Sequence, residues 1–247
     1  MPDGSVELVL HLSGTFRRHE ADGTVVEQPR ALVVGVVDRW MMLESTGVVD
    51  ILGVRFRPGA VRGVLGVAQS ALAGACHDLS TLGIDALDGV LHQVEAEPDP
   101  ERRIGLVLDR LTRAAEVATP PHPTILLTAR RIVASAGRAP ILEIARDAGW
   151  SQRHLERNFR REVGVTAKEF ARLSRFHGVV ARLNRATPPR WSRLAVQAGY
   201  HDQPHLVRDF REFGGITPAA YWRETHPLSD LFHATVDFLQ DGPGPPA

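Results

Sequence analysis

Apolar positions change their period part-way along this chain. Up to about residue 57 they fall in short Val- and Leu-rich runs, Val6 to Leu12, Ala31 to Val37 and Val48 to Phe56, with glycines between them. Runs of that kind suit strands, and an antiparallel sheet or partial barrel is expected there. After Pro58-Gly59 the spacing turns helical, in Ile84 to Val94 and in Ile104 to Leu111 behind the Asp99-Pro100 start signal. Ala118-Thr119-Pro120-Pro121-His122-Pro123 then stacks three prolines, which removes backbone donors and favours an extended linker. Near the end, Leu228, Leu231, Phe232, Val236 and Leu239 predict one more helix before a Gly-Pro-rich terminus that frays. The expected organisation is residues 1–117, a linker at 118–123, a second domain at 124–226 and a partly disordered tail at 227–247.

The second domain repeats at a period of about 50 residues. One copy holds Ile144-Ala145, Ala148-Gly149-Trp150, Leu155, Arg157, Phe159-Arg160, Gly164 and Thr166. Its counterpart holds Leu194-Ala195, Ala198-Gly199-Tyr200, Leu206, Arg208, Phe210-Arg211, Gly215 and Thr217. The offset is 50 before the turn and 51 after it, placing one extra residue within His201-Asp202-Gln203. Small residues at Ala145 and Ala195 allow two short helices to cross closely, and Gly149 and Gly199 follow where the chain must leave the first helix. Ser151 offers an N-cap to the next helix of the first copy, and Pro204 fits the first turn of the second. Each copy is therefore expected to be a helix-turn-helix. Its second helix buries a stripe, Leu155, Phe159 and Val163 or Leu206, Phe210 and Phe213. Arg153, Arg157 and Arg160, with Glu156 beside them, and then Arg208 and Arg211 fall on the outer face. Between the copies, Thr166-Ala167-Lys168-Glu169 matches a capping box and opens a spacer helix to about Leu183.

Charge sharpens the picture because the balance of 29 basic and 29 acidic residues is unevenly spread. Residues 1–123 carry 11 Arg against 17 acids, whereas residues 124–226 carry 17 Arg and Lys168 against nine acids. Positive charge gathered in the repeated half suits a polyanion such as double-stranded DNA. A lone cysteine, Cys76, excludes an internal disulfide and zinc sites built on paired cysteines. No metal and no cofactor is expected, and no Gly-rich phosphate loop, nucleophile elbow or catalytic carboxylate pair is present, so the chain is not expected to be an enzyme. The absence of a long apolar run or a secretion signal predicts a cytoplasmic protein with no membrane partner.

Over about Thr124 to Trp222 these residues resemble the AraC/XylS family of transcription regulators. The most specific stretch is Ala195-Val196-Gln197-Ala198-Gly199-Tyr200-His201-Asp202-Gln203-Pro204-His205-Leu206, followed by Arg208-Asp209-Phe210-Arg211 and Gly215-Ile216-Thr217-Pro218-Ala219-Ala220-Tyr221. The resemblance implies base contacts from the early outward positions of each recognition helix, Arg153, Glu156 and Arg157 in the first and Gln203, His205 and Arg208 in the second. Ser151, Arg160 and Arg211 are the candidates for phosphate contacts. It also implies RNA polymerase as a partner, with a small-molecule effector and a homodimer within the family's range. Pro2-Asp3-Gly4 and Gly53-Val54-Arg55-Phe56-Arg57-Pro58-Gly59-Ala60 resemble a domain often joined to such regulators, whose role is poorly defined. Relatives usually carry residues before that Pro-Asp-Gly, so the chain is expected to begin late. The expected fold is an α+β N-terminal domain, a short antiparallel sheet of which a cupin-like barrel is one form, then helices. An all-α C-terminal domain with two helix-turn-helix units and a linker helix completes it.

Three further groups have competing readings. His11, with Arg55 and Arg57, is the candidate set for an effector pocket. His19 lies near the same hairpin, but neither histidine has a partner set spaced for metal. Arg55 and Arg57 alternate on one strand face, where they either hold an anion or pair with acids, and pairing is the simpler expectation. Cys76-His77-Asp78 reads best as a polar loop between helices. The alternative function is a DNA-linked alkyl-transfer or redox-sensing protein that uses Cys76.

Overall fold

A computed structural model describes residues 4–20, 22–37, 39–183 and 189–223, so the expected tail helix lies outside the described residues. Among the described residues six strands come first, β1 (Val6–Ser13), β2 (Phe16–His19), β3 (Val25–Glu27), β4 (Ala31–Val34), β5 (Met42–Ser45) and β6 (Asp50–Phe56), and a seventh, β7 (Cys76–Asp78), follows two short helices. They make two antiparallel sheets, one in the order β6-β1-β4-β7 and one in the order β3-β2-β5. Period-two alternation along β1 divides the two sides of the larger sheet. Val6, Leu8 and Leu10 are fully buried in the main core, whereas Glu7, Val9 and His11 line a cavity that the smaller sheet also walls.

The helices are α1 (Val61–Leu65), α2 (Gln69–Leu72), α3 (Val90–Ala96), α4 (Pro100–Val117), α5 (Pro123–Ala134) and α6 (Ile141–Asp147). They continue as α7 (Gln152–Val163), α8 (Ala167–Leu183), α9 (Trp191–Gln197), α10 (Gln203–Gly214) and α11 (Pro218–Arg223). Asp99 caps α4 by accepting from Glu101 N–H, with Pro100 in the first turn, as the start signal required.

Several expectations need correcting. Ile84 to Val94 is not one helix: a 3₁₀ turn at Asp85–Leu87 is cut from α3 by Gly89, held at φ 68°. Cys76-His77-Asp78 is not a loop between helices but the edge strand β7, paired antiparallel with β4. β6 ends at Phe56, which leaves Arg57 exposed beyond the strand and outside the cavity wall that Arg55 joins. His19 pairs with Glu44 at 3.0 Å, away from that cavity.

Residues 118–122 connect α4 to α5, with Pro123 already in the helix, and apolar packing does not stop there. One continuous core joins β1, α3 and α4 to α5, α6, α7 and the start of α8. The N-terminal half holds the first helix-turn-helix in two further places. Arg62 of α1 donates to Glu162 of α7 at 2.7 Å, and that carboxylate is only 2% exposed. α2 also packs directly on α7. The second helix-turn-helix has its own core, built from Phe176, Val180, Leu194, Leu206, Phe210 and Phe213.

α8 starts with the expected capping box. Thr166 N–H and hydroxyl both donate to Glu169 Oε2 at 2.8 Å, and Glu169 N–H returns to Thr166 Oγ1 at 3.1 Å. Partial burial raises the Glu169 carboxyl, but the Thr166 donors and the Arg160 and Arg172 charges outweigh it and hold it below its ordinary value. A depressed carboxyl contributes stability above its unfolded pKa and loses it as pH falls through the folded one. Glu169→Ala should cost about 0.5–2 kcal/mol near neutral pH. Urea titrations in acid should show the two proteins converging, and an undiminished gap there would contradict the capping role.

Candidate nucleic-acid interface

The two helix-turn-helix units are built alike down to individual hydrogen bonds. At the first turn Trp150 N–H donates to Ala145 O at 2.9 Å and Gly149 N–H to Arg146 O at 2.9 Å. At the second, Tyr200 N–H reaches Ala195 O and Gly199 N–H reaches Val196 O, both at 3.0 Å. Gly149 and Gly199 carry φ of 69° and 83°, the left-handed geometry that the turn needs. Ala145 and Ala195 are 0% exposed at the crossing. Ala145→Leu or Ala195→Leu should therefore cost about 1–3 kcal/mol of overpacking. An unchanged melting curve for either would move the crossing elsewhere.

Each recognition helix opens on a side-chain cap. Ser151 Oγ accepts from His154 N–H at 3.2 Å, and Asp202 Oδ1 from His205 N–H at 2.7 Å. The equivalence of these caps identifies the extra residue of the second copy as His201, whose side chain is 90% exposed. One residue beyond the expected contacts also repeats: His154 packs edge-on against Trp150 at 4.4 Å, as His205 does against Tyr200 at 5.1 Å. His205 is thus half-buried and already positioned by Tyr200, unlike the exposed Gln203 and Arg208 around it.

On the first helix Arg153, Arg157, Arg160 and Arg161 are exposed. Arg157 lies 3.2 Å from His154 within its own helix. Glu156 departs from its expected place among the base readers, because its Oε2 accepts from Ala167 N–H at 2.8 Å and ties α7 to α8. Burial pushes this carboxyl above its ordinary value. Arg160 lines a cleft of about 240 Å³, with Val36, Ala73 and Gly74 of the N-terminal half opposite Arg172 and Glu212. On the second helix Arg208 and Arg211 are exposed.

The sequence reading missed what sets the second helix on its spacer. Asp209, 1% exposed, accepts from Arg172 of α8 at 2.8 Å, and Glu212 holds the same guanidinium at 2.6 Å. That guanidinium also lies over the Phe213 ring at 4.9 Å. The signal that could have shown this was an acid, Asp209, directly beside the buried Phe210 on a helix otherwise suited to DNA.

The expected effector residues divide. His11 and Arg55 line the cavity between the sheets, with Glu7 accepting from Arg55 Nε at 2.8 Å, so the arginine is paired as the simpler expectation held. Cys76 accepts from Arg18 at 3.4 Å and from Gln28 at 3.8 Å, and burial pushes its thiol up. Among the described residues, no group of three or more His, Cys, Asp or Glu could hold a metal, and no helix is long and apolar enough to cross a membrane.

Comparison with known proteins agrees with this geometry. A helix-turn-helix domain family matches residues 125–224, and a domain of unknown function (DUF6597) matches residues 1–78. No curated protein matches the chain. Among solved structures, ToxT from Vibrio cholerae is 9% identical over 90% of this chain and 91% of its own, with a TM-score of 0.49. ToxT of strain O395 bound to (E)-4-(8-methylnaphthalen-1-yl)but-3-enoic acid is 11% identical over 90% and 91%, with a TM-score of 0.48. Wild-type ToxT of strain SCE256 bound to unsaturated fatty acid is 10% identical over 88% and 86%, with a TM-score of 0.47. Residues 125–224 accordingly form a helix-turn-helix domain, the kind of unit that sets a helix in a DNA groove.

Proposed function

We propose that this regulator recognises a specific operator by seating α7 and α10 in successive major-groove segments on one side of a duplex. The observation that carries this reading is the pairing of equivalent exposed arginines, Arg157 with Arg208 and Arg160 with Arg211, on two equally capped helices. The 17 residues of α8 span about 25 Å at roughly 1.5 Å per residue, comparable to the roughly 34 Å between major-groove faces. Base edges fall to Arg153, Arg157, Gln203 and Arg208, with His205 placing its end of α10. Phosphates fall to Arg160, Arg211 and Ser151, whose hydroxyl still has its proton to donate after accepting the cap bond.

Residues 1–117 serve as the sensing or dimerising part and residues 124–226 as the DNA-binding part, acting on RNA polymerase in the cytoplasm. A small-molecule effector is supported by the cavity between the sheets, and catalysis has no part in this reading. The alkyl-transfer or redox alternative requires a ready thiolate at Cys76, and burial disfavours that form.

Full-length protein titrated with duplex DNA over a salt series tests the reading. The log-log slope should be steep, about 0.9 per phosphate contact. A flat response, or equal affinity for every duplex in a random pool, would remove it.

A further inference from the structure

The cavity between the two sheets has a volume of about 110 Å³. His11 is its one fully buried titratable wall residue among those described, at 0% exposure. Its Nδ1 lies 3.2 Å from the Pro29 carbonyl, which can only accept, so Nδ1 carries the proton and Nε2 presents a lone pair. Burial also pushes the imidazole below its ordinary value, which keeps it neutral near pH 7. Among the described residues, Nε2 meets no hydrogen-bond partner. A buried acceptor in that state favours any ligand that can donate to it.

Charge in the wall is already spoken for. Arg55 is held by Glu7, and Arg39 is not without a partner. Apart from the polar Ser5 and Gln28, the rest of the lining is apolar, including Val9, Phe16, Leu43 and Ile51. An apolar cavity of roughly 150 Å³ accepts benzene, so this one suits a molecule somewhat smaller.

We propose that the cavity binds a small neutral molecule with a hydroxyl group, which donates to His11 Nε2 while a short hydrocarbon body packs on Val9, Phe16, Leu43 and Ile51. The proposal rests on the reading of the N-terminal half as a sensor and gives that sensor its ligand class. The segment after β4 connects the cavity to the DNA-binding half. Val37, Arg39 and Met41 line the cavity, whereas Val36 lines the cleft beside Arg160. Trp40 lies against Gly215, the C-cap of α10, so closely that a Cβ there would sit 2.5 Å from its ring. A ligand that shifts the first set shifts the second.

Butan-1-ol and its isomer diethyl ether differ in the donor and not in atom count, and butyrate tests the anionic alternative. With full-length protein carrying ¹⁵N-histidine, butan-1-ol should shift the His11 Nε2 resonance saturably. Ether should need at least about tenfold more. Butyrate should leave the resonance in place. His11→Phe should erase the preference between the isomers, and Ile51→Phe, which fills the cavity but keeps His11, should block both. Equal binding of the isomers, stronger binding of butyrate, or no saturable shift with any of the three would overturn the ligand class. Duplex affinity measured in the same samples separates the underlying reading. Saturable alcohol binding with unchanged duplex affinity would uphold the ligand class and remove the sensing role.

Discussion

Arg172→Met should destabilise the protein by about 3–5 kcal/mol, because it strands a buried carboxylate. Asp209 is 1% exposed, and it accepts from this guanidinium at 2.8 Å. Methionine keeps much of the contact with Phe213 but offers no charge, and the Asp209 carboxylate then has to stay ionised without compensation or take up a proton. Nearby Tyr200 supplies no replacement charge, since burial first and the Asp209 charge second push its hydroxyl well above the ordinary value and keep it neutral. Arg172 is 25% exposed, so solvent reaches one side and the lower end of the range is expected. Arg172→Met combined with Asp209→Leu should recover most of the loss, because an apolar pair of similar volume replaces a buried ion pair at little cost. Equilibrium denaturation of the single and double variants decides it. A single variant within about 0.5 kcal/mol of the parent would show that the pair does not hold α10 to α8.

The second large effect separates reading from gripping. Arg157→Ala and Arg208→Ala should each cost about 1–3 kcal/mol on the cognate duplex and relax base preference in one half of the site. Arg160→Ala and Arg211→Ala should weaken cognate and scrambled duplexes by similar factors and lower the salt slope by about one unit. The four changes should not be equal between units. α7 is flanked by a neutral cap, Ser151, and also exposes Arg153 and Arg161, whereas α10 starts at Asp202, kept ionised below its ordinary value chiefly by His205 N–H. A carboxylate at that end repels phosphate, so the salt slope should fall more for Arg160→Ala than for Arg211→Ala. Binding isotherms on both duplexes at several salt concentrations give the answer. If Arg157→Ala weakened both duplexes alike with base preference intact, sequence reading by α7 through this residue would be wrong.

The DNA-binding half was largely legible in the sequence because its information is local. Caps, turn glycines, small crossing residues and the apolar stripes all lie within one repeat, and the 51-residue offset alone announced an insertion at the second turn. What was not legible depends on partners far apart in the chain. Glu156 looked like an outward reader on its own helix, and only the fold brings Ala167 N–H to it. Arg62 and Glu162 meet across 100 residues, which no periodicity signals. The runs at Val6, Ala31 and Val48 are β1, β4 and β6, but two other N-terminal strands escaped notice for a different reason. β2 is Phe-Arg-Arg-His and β3 is exposed throughout, so neither shows the apolar alternation that marks a strand. The prolines at 118–123 read as a linker, but a connection of that composition need not interrupt a core.

The contacts of Val36, Val37, Arg39, Trp40 and Met41 have a genetic consequence. Substitutions at Val37, Arg39 or Met41 should yield proteins insensitive to the proposed cavity ligand yet normal on DNA. Changes at Val36 or Trp40 should yield proteins that still take up the molecule and no longer answer it. Two classes of regulatory mutant, one blind and one mute, should therefore interleave along these five codons.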